Sequence, residues 1–148
     1  MTPDIRVTAI TDGRHVPSAR FRVQQLIEPL RKQGLDVVWK PAPVSKYAPK
    51  SKIIRPLWLP IAVGARVPAV IDSWRSSVTW LGRELIATLM TLEPFVKRPV
   101  VLDVDDAIWL PRGGRGIRGL AGRVDGVFAG NEFVAEWFRR FDLPVEVI

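Results

Sequence analysis

One stretch, residues 99–110, constrains the fold more than any other because it joins a buried strand to a pair of acids. It reads Pro-Val-Val-Leu-Asp-Val-Asp-Asp-Ala-Ile-Trp-Leu. An apolar run that is entered through a proline and interrupted only by Asp103 is typical of a strand buried on both faces of a parallel sheet. Ligands of open α/β sheets collect at the carboxyl ends of the strands. Asp105 and Asp106, which follow the strand, are therefore the first candidates for catalytic residues.

Strands and helices alternate along the rest of the chain. Apolar and β-branched runs predict further strands at residues 5–10, 35–39, 77–81, 124–129 and 145–148. Helical spacing of apolar residues predicts helices at 18–33, 57–74 (one broken or two short), 84–97 and 131–138. Residues 40–55 and 111–122 are interpreted as flexible basic segments. This alternation predicts a single α/β domain, a Rossmann-like doubly wound parallel sheet of about six strands with helices on both faces.

Composition excludes several classes of site. A chain of 148 residues is long enough for one domain with its own core, and it contains no cysteine and a single histidine, His15. A disulfide framework, a thiolate metal site and a histidine cluster are thus excluded, and we expect no metal. The N-terminus lacks the pattern of a signal peptide, and residues 53–71 hold two arginines and three prolines, which is unsuitable for a spanning helix. We expect a cytoplasmic protein. Its net charge of +7 favours an anionic partner.

The loop after the first strand is a second candidate site. Residues 13–22 contain neither a Gly-x-Gly-x-x-Gly fingerprint nor a Walker A motif. Arginines in the first turn of a helix that Ser18 can cap would nevertheless suit a phosphate group. Equally, Arg20 and Arg22 could be solvated charges on the helix surface. His15 ranks second as a base, since a lone histidine in a loop is usually only solvated. If the sheet is doubly wound, this loop lies next to Asp105 and Asp106.

Other polar residues near the predicted strand ends have simpler explanations. Asn131 suits the N-cap of the last helix, and Glu132 in its first turn complements the helix dipole. Asp106 could likewise be a cap or a turn carboxylate. A magnesium ion is conceivable beside these acids, but it would need further oxygen ligands that the sequence does not specify.

A basic and aromatic segment follows the second predicted strand. Its cations and an interfacial tryptophan are typical of a contact with an anionic membrane: Lys46, Lys50, Lys52, Arg55 and Trp58. The alternative, with equal weight, is a solvated loop followed by a helix whose apolar side faces the core. Nucleic acid is not expected as a partner, because no helix-turn-helix or RNA-binding signature is present.

Five segments, taken in order, resemble the N-terminal domain of GT-B glycosyltransferases related to family 4. The similarity covers nearly the whole chain, and each motif alone is moderately specific. The segments are Pro-Ser-Ala-Arg-Phe-Arg at 17–22, Val-Thr-Trp-Leu-Gly-Arg-Glu-Leu at 78–85, Val-Leu-Asp-Val-Asp-Asp-Ala-Ile-Trp at 101–109, Asp-Gly-Val-Phe-Ala-Gly-Asn-Glu-Phe-Val at 125–134 and Val-Glu-Val-Ile at 145–148.

The resemblance implies that residues 1–148 are the acceptor-binding half of a sugar transferase. In such enzymes a second Rossmann domain holds the nucleotide-sugar donor, and this chain lacks that half. It should therefore have little or no activity alone and need a donor-binding domain in cis or in trans. Apart from the nucleotide-sugar donor, we expect no cofactor. The acceptor would be a glycan or a lipid-linked sugar, which suits a peripheral position on the inner face of a membrane. Asp105 and Asp106 would contact the acceptor or stabilise the reacting centre.

The resemblance also implies that the loop at 13–22 lines the cleft, and Asn131 and Glu132 lie on the rim of the predicted crevice. The candidate substrate-binding residues are therefore Gly13, Arg14, His15, Ser18, Arg20, Arg22, Asn131 and Glu132. Two other functions fit the sequence. One is a non-catalytic Rossmann-like module that binds an anionic or phosphorylated ligand through Arg20 and Arg22. The other is a membrane-surface adaptor.

Overall fold

The computed structural model describes residues 5–148, apart from the side chains at positions 111 and 112. The described residues form six strands and six α-helices. The strands are β1 Ile5–Thr11, β2 Leu35–Pro41, β3 Val78–Gly82, β4 Val100–Val104, β5 Gly126–Ala129 and β6 Val145–Val147. The helices are α1 Pro17–Arg22, α2 Ile27–Lys32, α3 Arg55–Gly64, α4 Val67–Ser73, α5 Arg115–Ala121 and α6 Glu132–Arg139. Short 3-10 helices occur at Gln24–Leu26, Glu93–Phe95 and Pro111–Gly114. Residues 1–4, on which the prediction about a signal peptide partly depends, lie outside the described residues.

All six strands belong to one parallel sheet in the order β2-β1-β3-β4-β5-β6, which confirms the predicted α/β class and Rossmann-like architecture. Successive side chains of a strand point to opposite faces, so each face builds its own core. Val7 and Ala9 of β1 lie in a smaller cluster with Val23 and Trp80, whereas Ile10 lies in a larger one. The larger core contains Val100, Leu102 and Val104 of β4 and much of α5 and α6.

The strand order corrects one detail of the predicted site. The loops after β1 and β4 were expected to be neighbours, but β3 lies between those two strands. The reversal of strand order, where ligands of such sheets collect, is therefore between β1 and β3. The residues that follow β3 therefore also belong to the predicted site.

The segment between β1 and β2 is not the single helix that the sequence predicts. A 3-10 turn at Gln24–Leu26 separates α1 from α2, and Pro29 lies in the first turn of α2. Proline lacks an N–H group and its ring excludes the carbonyl one turn earlier, so the helix breaks before Pro29 rather than at it. The predicted N-cap is also wrong. Val16 occupies that position without a side-chain cap, and Ser18 is inside the helix.

The connection between β3 and β4 contradicts the predicted helix at 84–97. In its place is a loop with a single 3-10 turn at Glu93–Phe95, and the carboxylates of Glu84 and Glu93 accept hydrogen bonds from its backbone N–H groups. Glu93 accepts hydrogen bonds from the N–H groups of Leu85, at 2.8 Å, and Thr91, at 2.5 Å. A side chain that binds backbone donors in this way offers the chain an alternative to the helix. By contrast, the prediction of one broken or two short helices for 57–74 is confirmed by α3 and α4.

The glycine-rich segment at 111–122 was expected to be flexible, and this is wrong. It forms a 3-10 turn and the helix α5. A Cβ atom at Gly116 would lie 2.8 Å from the carbonyl oxygen of Thr88. The glycine therefore lets the helix pack directly on the β3–β4 loop, a tertiary contact that outweighs low helix propensity.

Within residues 5–148, no helix has both the length and the apolar composition needed to cross a membrane.

Candidate functional site

Five charged side chains meet where β1, β3 and β4 end, and we call them the carboxyl rim: Arg22, Arg83, Asp103, Asp105 and Asp106. Arg22 comes from the end of α1, and Arg83 directly follows β3. Asp103 is inside β4, and the other two acids follow that strand. The rim therefore brings Arg22 of the predicted loop close to the predicted acids. Arg22 and Arg83 each pair with different carboxylates.

The first of these arginines forms a buried pair. Nε of Arg22 donates to Oδ1 of Asp103 at 2.6 Å, and its terminal NH2 lies 2.5 Å from the same oxygen. Asp103 is only 3 % exposed. Burial raises the pKa of the Asp103 carboxyl, while the hydrogen bond and the charge of Arg22 oppose that rise. The partner of Arg22 is therefore Asp103, and neither of the predicted catalytic acids.

The second arginine forms an open pair with the predicted catalytic acids. A terminal nitrogen of Arg83 lies 3.1 Å from Oδ1 of Asp106 and another lies 4.0 Å from Oδ1 of Asp105. Asp106 is exposed and Asp105 is half-buried. Oδ1 of Asp105 is buried and accepts no hydrogen bond from any residue within 5–148. A half-buried carboxylate with a free oxygen can accept a hydrogen bond from a ligand.

The cavity between the two pairs is small. Its volume is about 10 Å³, and Thr11, Ser18, Arg22 and Arg83 contribute to its wall. This is space for one water molecule and not for a sugar. On the far side, a Cβ atom at Gly130 would lie 2.8 Å from Cα of Asp105, so the absence of a side chain lets the β5–α6 loop approach the acids closely.

A second group of buried charges lies beside the rim. Nζ of Lys46 is 2.9 Å from Oδ2 of Asp12, and Arg66 lies 4.0 Å from the other oxygen of that carboxylate. Arg66 also donates to the carbonyl oxygens of Thr11, at 2.6 Å, and Leu85, at 3.0 Å. Burial lowers the pKa of the Arg66 guanidinium, against the charges of Asp12 and Glu93. The prediction that Lys46 contacts a membrane is wrong, since 1 % of its side chain is exposed.

The predicted ligand loop divides into parts that face different ways. Ser18 and Arg22 line the rim cavity. Gly13, Arg14 and His15 line a neighbouring cleft of about 350 Å³, where the guanidinium of Arg14 lies over the Trp39 ring.

Arg20 is exposed on another side of α1, in a shallow groove with Phe21, Gln24 and Gln25. It lies outside the rim cavity and its set of ion pairs. The structure thus brings Ser18 and Arg22 to the acids, and does not bring Arg20 to them.

Asn131 and Glu132, the two candidates after β5, stabilise helix α6. Oδ1 of Asn131 accepts a hydrogen bond from the Val134 N–H at 3.0 Å, which confirms its role as the N-cap of α6. The carboxylate of Glu132 pairs with Arg139 on the helix surface, and that hydrogen bond lowers the pKa of Glu132. Both side chains are exposed beside the rim.

The rest of the predicted membrane contact lies on the surface. Lys50, Lys52 and Arg55 are exposed. Trp58 is half-buried, and its indole N–H donates to the carbonyl oxygen of Ser45 at 3.2 Å. Trp58 is thus fixed against the protein, whereas the three cations are free of the core.

Sequence reasoning missed Arg83, Asp12 and Glu84. The rule applied to the end of β4, that ligand groups follow buried strands, also holds for β1 and β3 and would have pointed to all three. Among the described residues, the structure contains no group of three or more histidine or acidic side chains that could hold a metal ion.

Comparisons with models of known protein families and with curated proteins find no match to this chain. The functional argument therefore rests on the fold and on the geometry of the rim.

Proposed function

We propose that this chain is the acceptor-binding half of a GT-B glycosyltransferase related to family 4. A donor-binding domain, in cis or in trans, would supply the nucleotide-sugar, and the sugar would pass to a glycan or a lipid-linked acceptor. The observation that carries the proposal is the open pair. It combines the half-buried carboxylate of Asp105, whose Oδ1 atom accepts no hydrogen bond within residues 5–148, with Arg83 at the carboxyl edge of a parallel sheet.

The chemistry of transfer assigns a role to each rim residue. The bond between the anomeric carbon and the diphosphate oxygen breaks, and the nucleoside diphosphate leaves with the electron pair. A bond forms from that carbon to an acceptor oxygen, whose proton passes to the departing diphosphate. Asp105 would accept a hydrogen bond from the acceptor hydroxyl and orient it, which lowers the barrier chiefly through positioning. Arg83 would fix both carboxylates. Arg22 and Asp103 would hold α1 against the sheet behind them.

The binding of an anion through Arg20 and Arg22 has less support. Arg22 is committed to Asp103, and Arg20 faces elsewhere. The rim arginines are matched by three carboxylates, so a phosphate there would have to displace an existing pair.

The test uses the protein that contains both this chain and its donor-binding domain. Transfer from a panel of nucleotide-sugars is measured for Asp105→Ala, Asp106→Ala and the surface control Glu136→Ala. We expect Asp105→Ala to lower the rate by about 100-fold, because it removes the group that positions the acceptor. Glu136→Ala, on the exposed side of α6, should retain the full rate. Unchanged rates in both aspartate variants would overturn the assignment of the site.

A membrane contact is a second element of the proposal, carried by an exposed apolar surface. The side chains of Ile53, Leu57 and Ile61 are spaced four residues apart, and Ile53 is 90 % and Leu57 65 % exposed. Of α3, only Ala62 is buried. Lys50, Lys52 and Arg55 are exposed and neighbour these residues in the chain. Apolar side chains bordered by cations suit the interface of an anionic bilayer.

Vesicle flotation tests this contact. We expect the chain to float with phosphatidylglycerol-containing vesicles and to remain unbound with pure phosphatidylcholine. The double variant Ile53→Ser/Leu57→Ser should weaken binding by at least about tenfold, since it removes two apolar side chains from the buried area. Phe21→Ser, which removes an equally exposed apolar group on α1, is the matched control. Equal flotation of both variants would contradict the assignment of this surface.

A further inference from the structure

A cleft with a volume of about 400 Å³ lies beside the rim. Six of the side chains around it carry polar or aromatic groups: Tyr47, Arg55, Trp58, Arg83, Glu84 and Thr88. Arg83 lines both this cleft and the small rim cavity, so the cleft opens next to Asp105 and Asp106. Its volume is within the range of small-molecule sites.

Glu84 gives the cleft an unused acceptor. It is 6 % exposed, and its Oε1 atom accepts a long hydrogen bond, 3.4 Å, from the Thr88 N–H. Its Oε2 atom is buried and has no hydrogen-bond partner within residues 5–148. A buried carboxylate oxygen without a partner is costly for the fold, which indicates that a ligand donates to it.

The backbone around Glu84 is strained in the same place. Arg83 has φ 73° and Thr88 has φ 65°, and both line the cleft. Non-glycine residues in this region of φ persist only where the surroundings enforce them, and they concentrate at functional sites. Glu84 directly follows one of these residues and lies four positions before the other.

Aromatic groups form another part of the wall. Tyr47 is 57 % exposed, and the indole of Trp58 is held by its hydrogen bond to Ser45. Flat aromatic faces of this kind pack against the C–H faces of a sugar ring, while the ring hydroxyls reach polar groups at the edges.

The charges around the cleft favour a neutral ligand. Arg83 is neutralised by the rim acids, and Nε of Arg55 donates to the carbonyl oxygen of Pro49 at 2.9 Å. Among the described side chains that line the cleft, one cation, Arg55, and one anion, Glu84, then remain. A neutral molecule with several hydroxyls can donate to the carboxylate and accept from the guanidinium at once, without the charge repulsion that a phosphate would meet at Glu84 or an ammonium group at Arg55.

We infer that this cleft binds a neutral saccharide ring, with Tyr47 and Trp58 as its packing surface and Glu84 as the acceptor for two of its hydroxyls. As the site of the acceptor sugar, this inference rests on the proposed function and names its substrate class. Saccharide binding itself can be measured without any transfer.

Saturation-transfer NMR on the whole chain tests the inference, with the methyl α-glycosides of glucose, mannose and galactose at millimolar concentrations as probes. We expect saturation of at least one glycoside. Glu84→Gln and Tyr47→Ala should each weaken that binding by about tenfold. Tyr47 is exposed, so its variant is expected to fold even if Glu84→Gln does not. Glu136→Gln on α6 is the control and should bind as the unmodified chain does.

Three outcomes would overturn the inference: no saturation of any glycoside, binding that is unaffected in both cleft variants, or displacement of the glycoside by equimolar inorganic phosphate. If the glycosides bind through Glu84 and Tyr47 but no nucleotide-sugar supports transfer, the saccharide site stands and the proposed glycosyltransferase fails. If transfer occurs with an acceptor whose binding ignores Glu84, the reverse holds.

Discussion

The two arginine–aspartate pairs of the rim have similar chemistry and opposite surroundings. Arg22 and Asp103 lie beneath α1, in contact at 2.5 Å, with the carboxylate almost wholly buried. Arg83 spans two carboxylates, at 3.1 and 4.0 Å, one of which is exposed. The buried pair has no room for a ligand beyond one water molecule, whereas the open pair borders a cleft of about 400 Å³. The same residue types can thus hold a fold together or present a reactive group, and burial decides which.

The largest expected effect comes from breaking the buried pair. Arg22→Met should lower the free energy of unfolding by about 3 kcal/mol, because it leaves the Asp103 carboxylate buried without its cation. Arg31→Met is the matched control, since Arg31 pairs with Glu28 at 3.3 Å on the surface of α2, and it should cost under about 0.5 kcal/mol. Urea denaturation measures both. Equal losses in the two variants would show that the pair with Asp103 is not structurally special.

A smaller effect concerns pH. Burial raises the pKa of Asp103, so the folded chain binds a proton more readily than the unfolded chain does. Stability attributable to this group therefore falls as pH rises from its ordinary value, 3.8, through the raised one. Asp103→Asn should remove that fall, as seen in urea midpoints measured across the acidic range.

Asp125 provides a control of opposite sign. Burial works to raise the pKa of its carboxyl, but hydrogen bonds from Arg98 and from the Val100 N–H outweigh burial and leave the pKa lowered. Its contribution is present above pH 3.8 and is lost as pH falls through the lowered value. Asp125→Asn should therefore remove stability at neutral pH and flatten its loss in acid. If both substitutions changed the pH dependence of the free energy of unfolding in the same direction, the contrast between the two carboxyl groups would be wrong.

The smallest effect on stability is expected at the open pair. Arg83→Gly removes a partly solvated ion pair but also relieves a positive φ, so the free energy of unfolding should change by less than about 1 kcal/mol. Transfer by the assembled enzyme should nevertheless fall by at least about tenfold, because Arg83 orients both acids. A loss of stability as large as that of Arg22→Met would remove the distinction between the pairs.

Much of this architecture is visible in local sequence patterns. The strands β1 to β6 follow apolar, β-branched runs, and Asn131 signals its helix by a cap that needs only neighbouring residues. The site could be located at the ends of β1 and β4 on the same basis. Such features depend on contacts within a few residues or on the general geometry of parallel sheets.

The errors share a different cause, which is contact between residues that are not neighbours along a helix or strand. Residues 84–97 have helical spacing, yet the carboxylate of Glu93 binds the Leu85 N–H and draws the segment into a loop. Gly116 favours flexibility locally, but it is where α5 meets Thr88. Lys46 looks like a surface cation until Asp12, on another loop, is placed beside it. None of these partners can be assigned from spacing alone.

The ion pairs of the buried basic side chains affect the electric field that the molecule presents to other surfaces. Lys46, Arg22 and Arg66 each lie beside an acid, so they add little to the outward electric field. The excess of seven positive charges is instead carried by exposed residues such as Lys50, Lys52 and Arg55. If α3 contacts an anionic membrane as we propose, the encounter would be faster and better oriented at low ionic strength, and added salt would slow arrival while leaving the apolar contact of α3 intact.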